Sequence, residues 1–414
     1  MFTPANSPSR VSSGSDRPLH RPAGQTHVAE PTPSDRSTAL KAVQEQVLEA
    51  VDAGTTVEIT GGCTKGRLGR RETGAKRLDV SGLDQLISYE PGELVLVVQP
   101  GMRLAAVEEL LSGENQHLAF EPPQWGDGAT VGGTVACGLS GPRRFKAGAA
   151  RDFVLGIELI DGCGQRIRAG GRVVKNVTGY DLSRALTGSF GTLGVLTEIC
   201  LKLWPRPETQ ATLVVDGCGR ADALALMLEW AALPLEITGL AYLPEDGSTS
   251  GRLMARIEGP GAAVAEQMRS LAEGTTGAAS TLEESESAHV WKQLRELELL
   301  QPNADEQLWR FSLAPAQALL LVGQLEAHDL RRYCLDWGGG QVWALFPARV
   351  PPATLHRAAL RLAATAWRFA RGPEDANDEA FTPLSPGVHR LNQRLKRAMD
   401  PKGVFSPGRM YRPS

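Results

Sequence analysis

Paired cysteines, an excess of basic residues and long apolar runs are all lacking in this sequence of 414 residues. The six cysteines are scattered, with no Cys-x-x-Cys and no histidine cluster at metal-ligand spacing. We therefore expect free thiols in a reducing compartment, and no zinc or iron–sulfur cluster held by this chain. The formal net charge of -3 argues against nucleic acid or an anionic membrane surface as a partner. No apolar run approaches the length of a membrane span.

Two common nucleotide-binding signatures are also missing. No G-x-G-x-x-G leads into an apolar helix and no G-x-x-x-x-G-K-[ST] occurs, which argues against a Rossmann fold and a P-loop. What is present is a predicted strand, 57–60, that runs into the glycine loop 61–66. A phosphate group bound there would lie at a turn between strands.

Glycine is also concentrated in two longer segments, 126–133 and 188–198, which bracket a region of strand-like composition. Glycine costs backbone entropy, a cost that is offset where φ is positive or where the main chain approaches another group closely. Bare N–H groups in such loops bind anions. Tight turns in a β-rich domain explain either loop alone equally well, but the three glycine loops together favour a diphosphate site.

The length predicts two domains with tails. Apolar and charged residues make up 42% and 22% of the chain, as in globular proteins. The predicted divisions are a disordered extension at 1–36, a first domain at 37–206, a second domain at 207–386 and a C-terminal helix and tail at 387–414. In the first domain we predict a helix from Ser37, its N-cap, to Val51. The other elements predicted there are strands 94–98, 153–160, 165–169 and 195–203 and helix 104–111.

The second half repeats itself weakly in the order strand, helix, strand, strand, helix. The first unit comprises 212–215, 221–232, 237–243, 252–258 and 261–272, and the second comprises 307–313, 316–326, 331–336, 342–346 and 354–369. Two such units can share one antiparallel sheet with helices on one face. The polar segment 275–288 is predicted to be a mobile loop and 371–386 a flexible linker. Leu391, Leu395 and Met399 define a final helix that returns to the first domain.

Several motifs in series carry a family resemblance. They are 59–62 (ITGG), 97–101 (VVQPG), 130–133 (TVGG), 174–182 (VKNVTGYDL) and 188–198. Together they resemble the FAD-binding domain of the vanillyl-alcohol-oxidase/p-cresol-methylhydroxylase (PCMH) superfamily. The segments 136–144 (ACGLSGPRR) and 400–410 (DPKGVFSPGRM) are similar to the FAD-binding subunits of bacterial glycolate oxidase, or glycolate dehydrogenase.

The resemblance implies an α+β fold. A PCMH-type FAD-binding domain of two subdomains is followed by an α/β cap domain, whose antiparallel sheet is built from two β-α-β-β-α repeats. By position, the first two glycine loops cradle the pyrophosphate with main-chain N–H groups, and 188–196 passes along the ribityl, flavin or adenine parts. The implied cofactor-binding residues are Gly61, Gly62, Cys63, Thr64, Lys65, Thr130, Val131, Gly132, Gly133, Gly138, Gly188, Gly191, Thr192, Gly194, Val195 and Leu196.

Non-covalent binding of FAD is expected because this chain differs at one position from family members that attach flavin covalently. Members that attach flavin covalently often have a histidine beside the first glycine pair, where this chain has Cys63. Cys137 is either a small buried residue or a second possible point of attachment. Arg143, Arg144 and Lys146 are either partners of an anionic flavin or substrate, or surface charges. The role of Lys175 and Asn176 stays open.

The histidine motifs that supply a base in 2-hydroxy-acid dehydrogenases of this superfamily are absent. The second half has only His289, His328, His356 and His389, each isolated. We assign no base; Tyr242 and His289 are alternatives without a motif. The implied partners are a larger homologous FAD-binding subunit, a separate iron–sulfur subunit and a small 2-hydroxy acid. The alternatives are a stand-alone dehydrogenase of another hydroxy acid or alcohol, and a non-catalytic FAD scaffold. The implied location is the cytoplasm, or the inner face of the membrane through the complex.

Overall fold

The computed structural model describes residues 33–70, 74–171, 181–245, 247–248, 250–275, 278–370 and 379–412. Before residue 206 the helices are α1 Pro33–Ala53, α2 Leu104–Ser112, α3 Val131–Cys137, α4 Arg144–Ala147 and α5 Leu182–Leu186. The strands there are β1 Val57–Thr60, β2 Lys76–Asp79, β3 Leu86–Glu90, β4 Val95–Val98, β5 Gln116–His117, β6 Val154–Ile160, β7 Arg166–Gly170, β8 Val195–Lys202 and β9 Trp204–Pro205.

The remaining elements follow in chain order. They are β10 Thr209–Gly219, α6 Arg220–Trp230, β11 Ile237–Pro244, β12 Ser250–Gly259, α7 Gly261–Glu273, β13 Ala279–Leu282, α8 Glu284–Arg295, β14 Glu306–Ser312, α9 Ala318–Glu326, β15 Arg332–Asp336, β16 Gln341–Pro347, α10 Pro352–Arg361, β17 Thr365–Ala370 and α11 Pro386–Met399. Among the described helices, none combines the length and the apolar character needed to cross a membrane.

The described part of the first half contains three sheets, the smallest being the antiparallel pair β5-β9. β1 and β2 pair in parallel, and α1 packs on them through Val43 and Val47. The second sheet is antiparallel with the strand order β3-β4-β8-β6-β7. All four residues of β4 are buried, as their unbroken apolar run predicts. The cleft described below opens between these two sheets.

One antiparallel sheet of eight strands forms the second half, in the order β13-β10-β12-β11-β15-β16-β14-β17. Read inward from either edge, each half of the sheet has the fourth, first, third and second strand of its unit. One half consists of β10 to β13 and the other of β14 to β17. The two sides meet at a single pair, Tyr242 and Leu335. A large apolar core includes side chains from α6, α7, α9 and α10 together with the sheet. The superposition of the two units stays a prediction.

Two predictions for the ends of these units were wrong. The segment 275–288 is not a loop throughout, because it contains β13 and the start of α8. Ser287 is buried there and bonds to Thr212 at 2.7 Å, and Trp291 Nε1 donates to the same hydroxyl. The predicted helix 354–369 ends at Arg361, since Ala363 has a φ of 51° and turns the chain into β17. Each unit therefore ends in a strand.

Three local boundaries also differ from prediction. α1 begins at Pro33, which is favourable in the first helical turn, so Ser37 lies inside the helix. The second glycine loop closes into α3, because the Thr130 side chain caps it by accepting from the Gly133 N–H. Within the predicted linker, Phe381 pairs with Trp367 of β17; 371–378 lie outside the described residues.

The C-terminal segment lies against the first half. Met399 joins the core around the five-stranded sheet, and Phe405 pairs with Val57 of β1. Asp400 is buried and accepts from the N–H groups of Val404 and Phe405. These contacts place residues near 409 beside the first glycine loop.

Candidate functional site

A cleft of about 360 Å³ lies where the first glycine loop, α3 and the segment 190–196 meet. It brings together residues that are far apart in the chain. The predicted site residues that line it are Gly61, Gly62, Cys63, Thr64, Lys65, Thr130, Gly132, Gly133, Gly191, Gly194 and Leu196. The volume is in the range of cofactor sites.

The first glycine loop follows β1 directly. No group in the described part of the chain accepts a hydrogen bond from the N–H groups of residues 61–65. Cys63 has a φ of 59°, and the loop closes with a bond from the Gly66 N–H to the Cys63 carbonyl at 3.3 Å. These N–H groups are therefore available to an anion in the cleft.

Contact between the first two glycine loops explains why glycine is needed in both. A Cβ on Gly62 would lie 1.4 Å from the carbonyl oxygen of Gly128. A Cβ on Gly61 would lie 3.0 Å from Thr130 Oγ1. The two main chains thus pack directly on each other, and no side chain fits between them.

The second glycine loop uses its own N–H groups within the protein. Val131 donates to the Met102 carbonyl at 3.0 Å and Gly132 to the Pro100 carbonyl at 2.8 Å. Gly133 donates to Thr130 Oγ1 at 3.2 Å. These donors are engaged, in contrast to the expectation that they cradle a pyrophosphate. The loop contributes close packing and the wall of the cleft.

Lys65 supplies a buried positive charge inside the cleft. Its Nζ donates to Thr64 Oγ1 at 3.2 Å and to the Gln124 carbonyl at 3.3 Å, and lies 5.7 Å from the centre of the Trp125 ring. Burial lowers its pKa. No carboxylate of the described residues pairs with it, so the cation fits an incoming anion.

Three arginines that line the cleft, Arg67, Arg77 and Arg409, were missed by sequence reasoning. Arg77 of β2 donates to Thr60 Oγ1 at 2.8 Å and to Cys63 Sγ at 3.2 Å. Arg409 reaches the cleft from the C-terminal tail and pairs with Glu58 at 3.1 Å. Arg409 belongs to the segment 400–410 that carries the resemblance, but only the return of the tail brings it to the cleft.

Five predicted site residues do not line the cleft. Val131 and Val195 are buried in apolar cores. Gly138 ends α3 with a φ of 61° and packs on Gly188, its Cβ position 3.1 Å from the Gly188 Cα. The Thr192 carbonyl accepts from Lys396 of α11. Gly188 and Thr192 line a second cavity of about 440 Å³ instead, beside α11.

Arg143 belongs to a buried ion cluster between the two halves instead of the cleft. It pairs with Glu121 at 3.0 Å and with Glu258 at 2.6 Å, while Arg256 bonds Glu121 through both guanidinium ends at 3.0 Å. Burial acts to raise the pKa of Glu121, but the two arginines outweigh it and hold that pKa at about 2. The cluster fastens the halves together.

The other candidate side chains are also engaged elsewhere. Arg144 lies over the Trp337 ring, 4.3 Å from its centre, and Lys146 pairs with Glu236 at 3.1 Å. Tyr242 donates to the Cys218 carbonyl inside the core of the second half. Lys175 and Asn176 lie outside the described residues.

No histidine lines the cleft in the described part of the chain. His289 is exposed on α8, and His389 bonds Gln393 on α11. His356 is buried, and its ring nitrogens lie 3.3 Å from Thr382 Oγ1 and 3.1 Å from the Glu379 carbonyl. The cleft therefore offers free N–H groups and positive charge to an anion, but its described lining contains no imidazole base.

Comparison with known proteins gives four likenesses. A family model described as FAD binding domain matches residues 36–170. The glycolate oxidase subunit GlcE of Escherichia coli is 40% identical over 373 residues, which cover 90% of this chain and 97% of that protein. The glycolate oxidase subunit GlcD of Bacillus subtilis is 38% identical over 133 residues, 32% of this chain and 28% of that protein. A solved alkyldihydroxyacetonephosphate synthase, 14% identical, has the same fold over 88% of this chain and 74% of its own, with a TM-score of 0.65.

Proposed function

Because the chain belongs to the family of the glycolate oxidase subunit GlcE, we propose that it is an FAD-binding subunit of a multi-subunit glycolate dehydrogenase. That enzyme oxidises glycolate to glyoxylate. When bound, FAD supplies the acceptor for the hydride of such an oxidation. The observation that carries the proposal is the set of unpaired N–H groups at 61–65 beside the buried cation of Lys65.

The residues of the cleft divide by role toward FAD. The 61–65 N–H groups, Lys65 and Arg77 would hold the diphosphate, because they combine free donors with positive charge. Gly132, Gly133, Gly191, Gly194 and Leu196 would let the remainder lie close to the main chain. The division into an FAD-binding domain at 37–206, a cap at 207–386 and a C-terminal segment at 387–414 belongs to the same proposal.

FAD is bound without a covalent link in this proposal. The thiolate is the form of cysteine that attacks a flavin, and burial raises the pKa of Cys137, which keeps its thiol protonated. The Cys63 thiol donates to the Gly61 carbonyl at 3.4 Å. Cys63 Sγ also accepts from Arg77 Nη2 at 3.2 Å, so the non-covalent assignment rests on Cys137 and on the lack of a histidine at position 63.

Partner subunits complete the reaction. Oxidation of a hydroxy acid requires a placed base, which contributes roughly 10²- to 10⁴-fold, and the described cleft contains no histidine. A larger homologous FAD-binding subunit would supply the oxidation site. A separate iron–sulfur subunit would accept the electrons, since the scattered cysteines of this chain hold no cluster motif.

The test uses the purified full chain loaded with FAD under anaerobic conditions. We expect glycolate to leave its flavin spectrum unchanged, whereas the complex with both partner subunits turns over. Rapid bleaching of the flavin in the isolated chain would contradict the subunit role and favour a stand-alone dehydrogenase. A chain that takes up no FAD would overturn the cofactor assignment itself.

A further inference from the structure

The helix α11 is only partly covered by the rest of the protein. Of its 14 residues only Met399 is buried. Val388 is 50% exposed and Leu391 is 64% exposed. Together with Leu395 they have the i, i+3, i+7 spacing of one helix face. Leu395 packs against the core around the five-stranded sheet, so this apolar face is covered at its C-terminal end and open at its N-terminal end.

A stripe of positive charge runs along another face of the same helix. Arg390, Arg394 and Arg397 are exposed, and their i, i+4, i+7 spacing places them side by side. Among the described residues, no carboxylate pairs with any of the three. Positive charge is not a general property of this chain, whose formal net charge is -3. The segment 386–414 nevertheless contains seven Lys and Arg residues and a single Asp.

The cavity of about 440 Å³ beside α11 borders the arginine stripe. Thr192 of the first half lies in one wall, and Arg397 and Lys402 bring positive charge to the lining. The one carboxylate among the described lining residues, Asp400, is 2% exposed and pairs with Lys396, so it does not cancel that charge. The space is large enough for side chains of a docked protein segment.

We propose that α11 and this cavity form the docking surface for an acidic segment of a partner subunit. The inference rests on the proposed function, because the occupant is a subunit of the same complex. Carboxylates of that segment would pair with the arginine stripe, and its apolar side chains would enter the cavity and cover Leu391. Complementary charge of this kind speeds association and fixes how the two chains are aligned.

An anionic membrane is the other surface that a basic helix can meet, but the geometry favours a protein. A helix that lies in a membrane surface buries a broad apolar face, whereas the large apolar side chains that α11 exposes are Val388 and Leu391. A flat bilayer would also leave the concave cavity unfilled, while a protein segment can enter it. The rest of the chain carries an excess of acidic residues, which an anionic membrane repels.

The experiment measures the affinity of the full chain for its two partner subunits, with size-exclusion chromatography to verify the complex. Arg390→Glu combined with Arg394→Glu reverses two charges of the stripe outside the cavity. We expect this double variant to bind about 30- to 100-fold more weakly. Binding of the wild type should also fall more steeply with added NaCl than binding of the variant. The FAD content and melting temperature of the isolated variant should stay unchanged, because both side chains are exposed.

Arg357→Glu combined with Arg361→Glu is the matched control. These arginines have the same i, i+4 spacing at exposed positions, 357 on α10 and 361 at its end, and should bind as the wild type does when reversed. Equal binding of all three proteins, or an equal loss in both double variants, would overturn the docking surface and leave the proposed function standing. A wild type that does not assemble with the partner subunits would contradict the proposed function, and this surface with it.

Vesicles made of equal parts of phosphatidylcholine and phosphatidylglycerol test the membrane alternative. We expect neither the wild type nor the α11 double variant to sediment with them. Wild-type binding that the α11 variant loses, combined with unchanged assembly of that variant with the partner subunits, would assign the helix to a membrane surface and overturn the proposal.

Discussion

The first and second glycine loops are alike in composition and opposite in use. In the loop 61–65, no described group accepts from the N–H groups. In the loop 130–133, all three N–H groups after Thr130 are engaged within the protein. A dense run of glycine therefore indicates close approach of the main chain, but not what the main chain approaches. The main chain of the loop 61–65 faces the open cleft, whereas the main chain of the loop 130–133 packs against other parts of the protein.

Gly62→Ala should break the contact between the loops and have the largest effect. The new Cβ would lie 1.4 Å from the Gly128 carbonyl oxygen, so one of the two main chains would have to shift. We expect the free energy of unfolding to fall by about 3 kcal/mol and bound FAD to be lost, as measured by urea unfolding and flavin absorbance. Gly82→Ala is the control, because nothing lies within 4 Å of its Cβ position. Equal stability of the two variants would refute the contact.

Substitutions at Gly132 and Gly133 distinguish the role of the second loop in packing from its role in ligand contact. A Cβ on Gly132 would lie 2.5 Å from Pro100 Cβ, whereas one on Gly133 would lie 3.2 Å from Thr130 Oγ1. Gly132→Ala should therefore cost about 2 kcal/mol and Gly133→Ala less than about 1 kcal/mol. Gly133→Val should still fold but release FAD, since its side chain enters the cleft. A fully loaded Gly133→Val protein would contradict the proposed position of FAD.

Lys65→Met removes the positive charge from the first loop and leaves the second loop unchanged, so it tests the role of the first loop in anion binding. We expect FAD affinity to fall about 10- to 100-fold, which is about 1.4–2.8 kcal/mol, by calorimetric titration. Lys76→Met, at an exposed position of β2, should bind as the wild type does. If both variants bind FAD equally well, Lys65 does not face the anion.

The wild type and Lys65→Met should also differ in how their stability depends on pH in the absence of FAD. Burial lowers the pKa of Lys65 below 10.5 in the folded state, so the charged form destabilises the fold at neutral pH. This cost is relieved as the pH rises through the folded-state pKa. The apo Lys65→Met variant should be more stable than the wild type at pH 7, and the difference should shrink toward pH 10. If the difference in the free energy of unfolding, measured in urea, is the same at pH 7 and pH 10, the buried charge of Lys65 does not destabilise the fold.

The smallest effect is expected from the cysteines of the cleft. Acid precipitation should release all of the flavin from the wild type, from Cys63→Ser and from Cys137→Ser, because neither thiol forms a bond to it. The measurement is absorbance of the supernatant at the flavin maximum. Flavin that stays in the wild-type pellet but not in one variant would identify that cysteine as the point of attachment.

Local patterns predicted the regular elements well and their ends less well. The strand at 57–60 has the bounds that were predicted, since its alternation and the glycines after it are both local signals. The segment 275–288 was misread because its polar residues look like a loop. Ser287 and Trp291 find their partner in Thr212, 75 and 79 residues away, so the order of this segment depends on a contact no local pattern contains.

The candidate site was predicted in the same uneven way. The glycines of the first loop were identified because a residue without a side chain can be recognised from the sequence alone. Arg409 was missed because its place beside Glu58 depends on the return of the C-terminal tail, 351 residues along the chain.

The sequence by itself determined where the main chain is bare, where apolar residues alternate and to which FAD-binding family the chain belongs, because these properties belong to single residues and short segments. The tertiary structure alone decided which N–H groups remain free and which charges are buried. A donor at 131 or 132 is engaged only because the carbonyl groups of Met102 and Pro100 lie within hydrogen-bond distance. Burial of Lys65 likewise depends on Gln124 and Trp125, which lie about 60 residues further along the chain.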